Sequence, residues 1–73
     1  MPNLSEREQQ VLNWAAVGKS AWETSQIVGL SQRTIDSYIK NCLRKLDANN
    51  KTHAVAIALN FGLIEPYQFW AKH

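Results

Sequence analysis

Residues 20–46, SAWETSQIVGLSQRTIDSYIKNCLRKL, read as two helices joined by a tight turn, and the rest of the chain is organised around them. Ser20 and Glu23 stand at capping-box spacing, so the first helix is expected to open there: the hydroxyl takes a free first-turn N–H and the carboxylate reaches back. Gly29 ends that helix, because glycine adopts positive φ at a helix C-terminus without steric cost. Ser31 then caps a longer helix. A short helix, a turn of about three or four residues containing glycine and a longer helix make the pattern of a helix-turn-helix.

The longer helix divides by face. At about 100° per residue, Ile35, Ile39, Cys42 and Leu46 fall within one narrow arc, which must face a core. Nearly opposite lie Arg33, Ser37, Lys40, Asn41 and Arg44, with Asp36 on the flank. Each of these donates or accepts hydrogen bonds, and three are cationic. Such a face fits the major groove of double-stranded DNA, where base edges carry a distinct donor and acceptor code. An ordinary amphipathic helix with a solvated outside has the same pattern, so the helix alone leaves both readings open.

Seventy-three residues make a single small domain, here 1–73. With 45% apolar and 19% charged residues the chain is globular. A net charge of +2 says little, but its distribution says more: six of the eight basic residues lie between Lys19 and Lys51, against only Glu23, Asp36 and Asp47. A local basic excess of this kind suits a phosphate backbone. The one cysteine, Cys42, excludes an internal disulfide framework and reads as a small core residue. No apolar run approaches the roughly 20 residues that cross a bilayer, and the N-terminus lacks the order of a signal peptide. No membrane association is expected, and the expected location is the cytoplasm.

Outside the central stretch, Ser5 and Glu8 form another capping box, and the helix they open runs to about Val17, with Val11, Leu12 and Ala15 on one face and Trp14 and Ala16 at its margins. Gly18 stops it. Lys19 then sits beside the N-terminus of the next helix, where it can reach a phosphate or remain solvated. That helix, Ala21 to Val28, is expected to bury Trp22 or Ser25 together with Ile27 and Val28, and Leu30 to plug the turn. Asn50 caps a fourth helix from Lys51 to Phe61, and Gly62 follows it. Residues Ala54 to Leu59 are all apolar, so this helix has no polar face there and must be covered on more than one side. Either a second copy covers it, with Ala54, Val55, Ala58 and Leu59 as the dimer surface, or the aromatic tail of residues 65–73 folds back over it; both can hold. The expected fold is all-α with four helices.

His53 and His73 have no partners at metal-ligand spacing, and no metal site is expected. No nucleophile motif, phosphate loop or paired carboxylates occur. An enzyme is not expected, nor is a cofactor. Trp14, Trp22 and Trp70 resemble a stacking platform for single strands only superficially; helix positions at the core margin favour packing.

The stretches LSEREQQVLNWAAVGKS, SQRTIDSYIKNCLRKLDANNKTHAVAIAL and FGLI, covering about residues 4–64, closely resemble the DNA-binding domain of LuxR-type transcription regulators, the FixJ/NarL/GerE class. The opening Leu4-Ser5 with Arg7-Glu8, Trp14, Gly18-Lys19 and the closing Gly62-Leu63-Ile64 are most similar to its quorum-sensing branch. The resemblance implies a four-helix LuxR-type helix-turn-helix domain that dimerises through the fourth helix. It implies base contacts at Asp36, Ser37 and Lys40, to which face geometry adds Arg33 and Arg44. It implies phosphate contacts at Lys19, Ser31, Thr34, Tyr38, Lys45, Lys51 and Thr52. The chain departs from the family pattern at Asp36, where many members are basic, at Tyr38, where histidine is common, and at Thr24-Ser25, which replace a more apolar pair.

The expected function is therefore that of a sequence-specific regulator binding an inverted-repeat operator as a dimer, at least on DNA. The three residues before Leu4 are too few for a sensing domain, so the chain is expected to be either an excised effector domain of a quorum-sensing regulator or a stand-alone member. The alternative is a protein-interaction module that pairs with a full-length LuxR-type regulator. RNA polymerase is a further expected partner.

Overall fold

A computed structural model describes residues 3–71 of the chain, with side chains as far as Phe69. It contains five helices: α1 (Glu6–Ala16), α2 (Ala21–Val28), α3 (Gln32–Leu46), α4 (Lys51–Asn60) and a short α5 (Pro66–Ala71), which adds an element to the expected four. The helix starts follow the local chemistry. Ser5 and Glu8 close a capping box, as do Ser20 and Glu23. Ser31 Oγ accepts from the Thr34 N–H at 3.1 Å, and Asn50 Oδ1 accepts from the His53 N–H at 2.9 Å. The α2–α3 turn rests on Gly29 at φ 75°, whose N–H and that of Leu30 both reach the Ser25 carbonyl. Side chains with a Cβ adopt that conformation only at a cost.

Helix α1 is the hub, packing against each of the other four helices. The core is assembled on it: Leu4, Leu12, Cys42, Leu46, Ala54, Ala58 and Ile64 form one buried cluster, with Val11, Trp14 and Ile35 also buried. Three side chains of the α3 arc are therefore buried, and Ile39 is half-buried.

Helix α2 buries Ser25, one of the two alternatives expected, but adds Thr24 and leaves Val28 half-buried and Ile27 exposed. Thr24 and Ser25 are buried, whereas Trp22 is 59% exposed and Ile27 45% exposed. Two small hydroxyl side chains fit this contact because each satisfies itself locally: Thr24 Oγ1 donates to the Ser20 carbonyl at 2.9 Å and Ser25 Oγ to the Trp22 carbonyl at 2.6 Å. A buried hydroxyl with a partner avoids most of the desolvation penalty.

The tail does fold back, but onto α1 and not over α4. Phe69 meets Trp14 edge to face with ring centroids 4.9 Å apart, and the Glu65 N–H donates to buried Asn13 Oδ1 at 3.1 Å. Among the described residues α5 makes no packing contact with α4. The part of the expectation that involves the Trp70 side chain lies outside the described residues.

Candidate nucleic-acid interface

The outward face of α3 is displayed because its inward face is fully used. Ile35 and Cys42 have no exposure at all, so the rotation of the helix about its axis is fixed. That rotation leaves Arg33, Asp36, Ser37, Lys40 and Arg44 exposed along one side, with Asn41 half-buried beside them. Arg44 is steadied by donating to Asn41 Oδ1 at 3.3 Å. The side chains of Asp36 and Lys40 make no hydrogen bond or ion pair with any described residue.

The residues expected to touch phosphate gather near helix starts. Ser31 and Thr34 stand in the first turn of α3, their hydroxyls 2.9 Å apart. Lys51 and Thr52 open α4, and Lys19 immediately precedes the capping residue of α2. The first turns of α3 and α4 contain no acidic side chain, unlike those of α1 and α2. Free N–H groups and the positive end of the helix dipole there favour an anion. At α2 the Ser20 N–H and hydroxyl hold the Glu23 carboxyl below its usual value, with neighbouring Lys19 adding to the effect. Tyr38 is half-buried on the flank of α3.

Lys45 stands apart from this group. Its Nζ donates to Glu8 Oε1 at 2.7 Å and to the Asn3 carbonyl at 3.3 Å, tying the end of α3 to the start of α1. Glu8 is buried, and its Oε1 also accepts the Ser5 N–H at 2.8 Å. Burial alone would raise the Glu8 carboxyl, but the Lys45 ammonium and the Ser5 N–H and hydroxyl together hold it below the usual carboxylate range. The Lys45 ammonium is thus already committed to a carboxylate. This pairing spans 37 residues, and nothing in the capping box that contains Glu8 announces it.

Burial also divides the expected dimer residues. Ala54 and Ala58 are fully buried in the domain's own core. Thr52, Ala56 and Leu59 form the outward stripe of α4, with Leu59 48% exposed, and Val55 is half-buried against the core cluster. The small alanines bring α4 close to α1 and α3 rather than to the surface.

Cys42 has the environment of a core residue. Burial pushes its thiol up to about 11, with nearby Glu8 adding to the rise, so it holds no thiolate at neutral pH. Among the described residues no three His, Cys, Asp or Glu side chains cluster as a metal site would need, and no helix is long and apolar enough to cross a membrane. His53 accepts the Asn49 N–H at Nδ1, at 3.0 Å, and so braces the loop before α4.

These features have counterparts among known proteins. The family model for bacterial regulatory proteins of the luxR family matches residues 2–58. The chain is 46% identical over 63 residues to the transcriptional activator protein BjaR1 of Bradyrhizobium diazoefficiens, covering 86% of this chain and 26% of that protein. It is 51% identical over 61 residues to the quorum sensing-dependent transcriptional regulator RpaR of Rhodopseudomonas palustris, covering 84% of this chain and 25% of that protein. It is 46% identical over 61 residues to the quorum-sensing regulator RhlR of Pseudomonas aeruginosa, with 84% and 25% covered. The chain therefore spans about a quarter of the length of these relatives, which are transcription regulators and not enzymes. With an all-helical fold built around α2 and α3 and a match over most of its length, the chain belongs to the LuxR family of bacterial regulators as its helix-turn-helix DNA-binding domain.

Proposed function

We propose that this domain reads a specific double-stranded DNA sequence as a dimer, on an inverted-repeat operator, in the cytoplasm. The observation that carries the reading is the α3 face: Arg33, Asp36, Ser37, Lys40 and Arg44 are exposed together while the opposite side of the helix is locked into the core. In this reading α3 enters the major groove and these side chains meet base edges. Lys19, Ser31, Thr34, Tyr38, Lys51 and Thr52 hold the backbone on either side. Lys45 contributes chiefly by fixing α3 against α1, since moving it to a phosphate would strand the buried Glu8 carboxylate. Two domains related by a two-fold axis place their half-sites about one helical turn apart. The α4 stripe of exposed Ala56 and Leu59, flanked by half-buried Val55, is the surface through which they meet.

The relatives' names extend the reading to the effector domain of a quorum-sensing regulator, or to a stand-alone member acting on the same operators. Where the outcome is activation, RNA polymerase is the protein partner, and the exposed Trp22 and Ile27 of α2 offer it apolar contact.

The test is selection from a randomised duplex pool at near-physiological salt, with Lys40→Ala in parallel. An enriched inverted repeat is expected, and the substitution should cost about 1–3 kcal/mol and relax one base pair per half-site. Loss spread evenly over all sequences would make Lys40 a phosphate contact only. A second reading rests on the α4 stripe, which α5 leaves uncovered: pairing with a full-length LuxR-type regulator. It requires partner binding that survives neutralising Lys40 and Arg44, and no sequence enrichment by the domain itself.

A further inference from the structure

The outward face of α3 contains one acidic residue, Asp36, among Arg33, Lys40 and Arg44. A carboxylate facing a phosphate backbone lowers affinity for every sequence unless a base engages it. Asp36 and Lys40 are separated by one helical turn, in the order that favours an intrahelical ion pair. Both are exposed, and neither makes a hydrogen bond or ion pair with a described residue. Two other polar heads of the helix are engaged, Lys45 on Glu8 and Arg44 on Asn41. Asp36 and Lys40 thus stand one turn apart on the exposed side of α3, with neither side-chain head engaged by the protein.

We propose that Asp36 and Lys40 act as a joined reader of a C·G base pair, or of a cytosine and a guanine on adjacent pairs, in each half-site. The proposal rests on α3 lying in the major groove. An ionised carboxylate only accepts, and an ammonium only donates. In the major groove the amino groups of cytosine and adenine are the donors, while guanine O6 and N7 are a double acceptor. A C·G pair therefore offers one donor to Asp36 and two acceptors to Lys40 within a single plane. The roughly 5–6 Å between side-chain origins one turn apart matches the span of one pair or one step. Asp36 also acts against wrong sequences: a guanine or thymine at the cytosine position turns an acceptor toward the carboxylate. Specificity then comes as much from rejection as from attraction.

The experiment measures binding of the domain to the operator selected from the random pool, with all four base pairs substituted at each half-site position in turn. It uses the parent chain, Asp36→Asn, Asp36→Ala and Lys40→Ala. The parent is expected to prefer cytosine at one position by about tenfold or more over guanine and thymine. Asp36→Asn should move that preference to adenine, whose N6 and N7 an amide pairs with. Asp36→Ala should flatten it, and Lys40→Ala should relax guanine on the same or the adjacent pair. An unchanged base preference in Asp36→Asn, with affinity raised about equally for all sequences, would overturn the proposal and leave Asp36 a repulsive surface charge. Lys40→Ala relaxing a pair two or more steps away would overturn the joint reading. The dimer reading fails separately: a motif without two-fold symmetry that still changes from cytosine to adenine in Asp36→Asn would remove the dimer and keep the reader.

Discussion

At the scale of single residues, the charge on Glu8 is the most consequential one not on the α3 surface. Its carboxylate joins three chain segments: the Ser5 cap, the α1 start and, through Lys45, the end of α3. Because the folded-state value lies below the ordinary 4.5, the carboxylate stabilises the fold above that value, and the contribution is lost as pH falls through the folded one. Glu8→Gln should cost about 1–2 kcal/mol at pH 7, the modest end for a charged hydrogen bond because Lys45 is partly exposed. Thermal melts of both proteins across the acid range should converge below about pH 4.5. A gap that stays constant down to pH 3 would mean that shape, and not charge, supports the contact. Asp47 is the opposite case. It closes α3 at φ 53°, in left-handed backbone, and places a negative charge at a helix C-terminus where the dipole disfavours it. Asp47→Gly should therefore stabilise by about 0.5–1 kcal/mol, a rise in Tm of a few degrees. A lower Tm would show that the carboxylate holds the following loop.

At the scale of elements, α5 is the short helix that depends wholly on α1. Six residues cannot sustain a helix in water, so its existence rests on Phe69 against Trp14 and on the Glu65 N–H held by Asn13. Phe69→Ala should cost about 1–2 kcal/mol, less than a fully buried phenylalanine because the ring is half-exposed. It should raise amide exchange across α5 and leave exchange in α3 at the global rate. If α3 also loosens, α5 belongs to the core unit and is not an appendage. The α2–α3 pair shows a different economy. Its turn depends on one left-handed glycine, and the side chains that α2 buries are the hydroxyl pair Thr24 and Ser25. The larger apolar groups, Trp22 and Ile27, are released to the surface and become available to a partner.

At the scale of the whole molecule, α4 divides into a side that closes the core and a side proposed for dimer contact. Ala54 and Ala58 close the core and Val55 packs at its margin, while Ala56 and Leu59 face outward. Leu59→Glu should leave the monomer's melting temperature nearly unchanged, because the side chain is 48% exposed. It should weaken binding to a two-half-site operator by about tenfold or more, while binding to a single half-site stays within twofold, since two carboxylates would then meet at the two-fold axis. Equal loss on both duplexes would move the dimer contact away from α4. Retained cooperativity would do the same.

The parts of this protein legible in its sequence are those built from neighbours three or four residues apart. The starts of α1 to α4 are announced by Ser5, Ser20, Ser31 and Asn50, and the α2–α3 turn by Gly29, because a cap is satisfied within its own turn. The two faces of α3 followed from the helical period alone, since Ile35, Cys42 and Leu46 repeat at core spacing. What tertiary structure decided were the matters that depend on distant partners. Periodicity showed that α4 is apolar throughout, but only packing assigned Ala54 and Ala58 inward and Leu59 outward. It placed the aromatic tail on α1, where Asn13 offers an acceptor, and left the outer stripe of α4 bare. It turned Lys45 from a surface cation into the counterion of Glu8, which a one-dimensional pattern cannot encode, because a charge chooses its partner by distance in space after the core has set the helices.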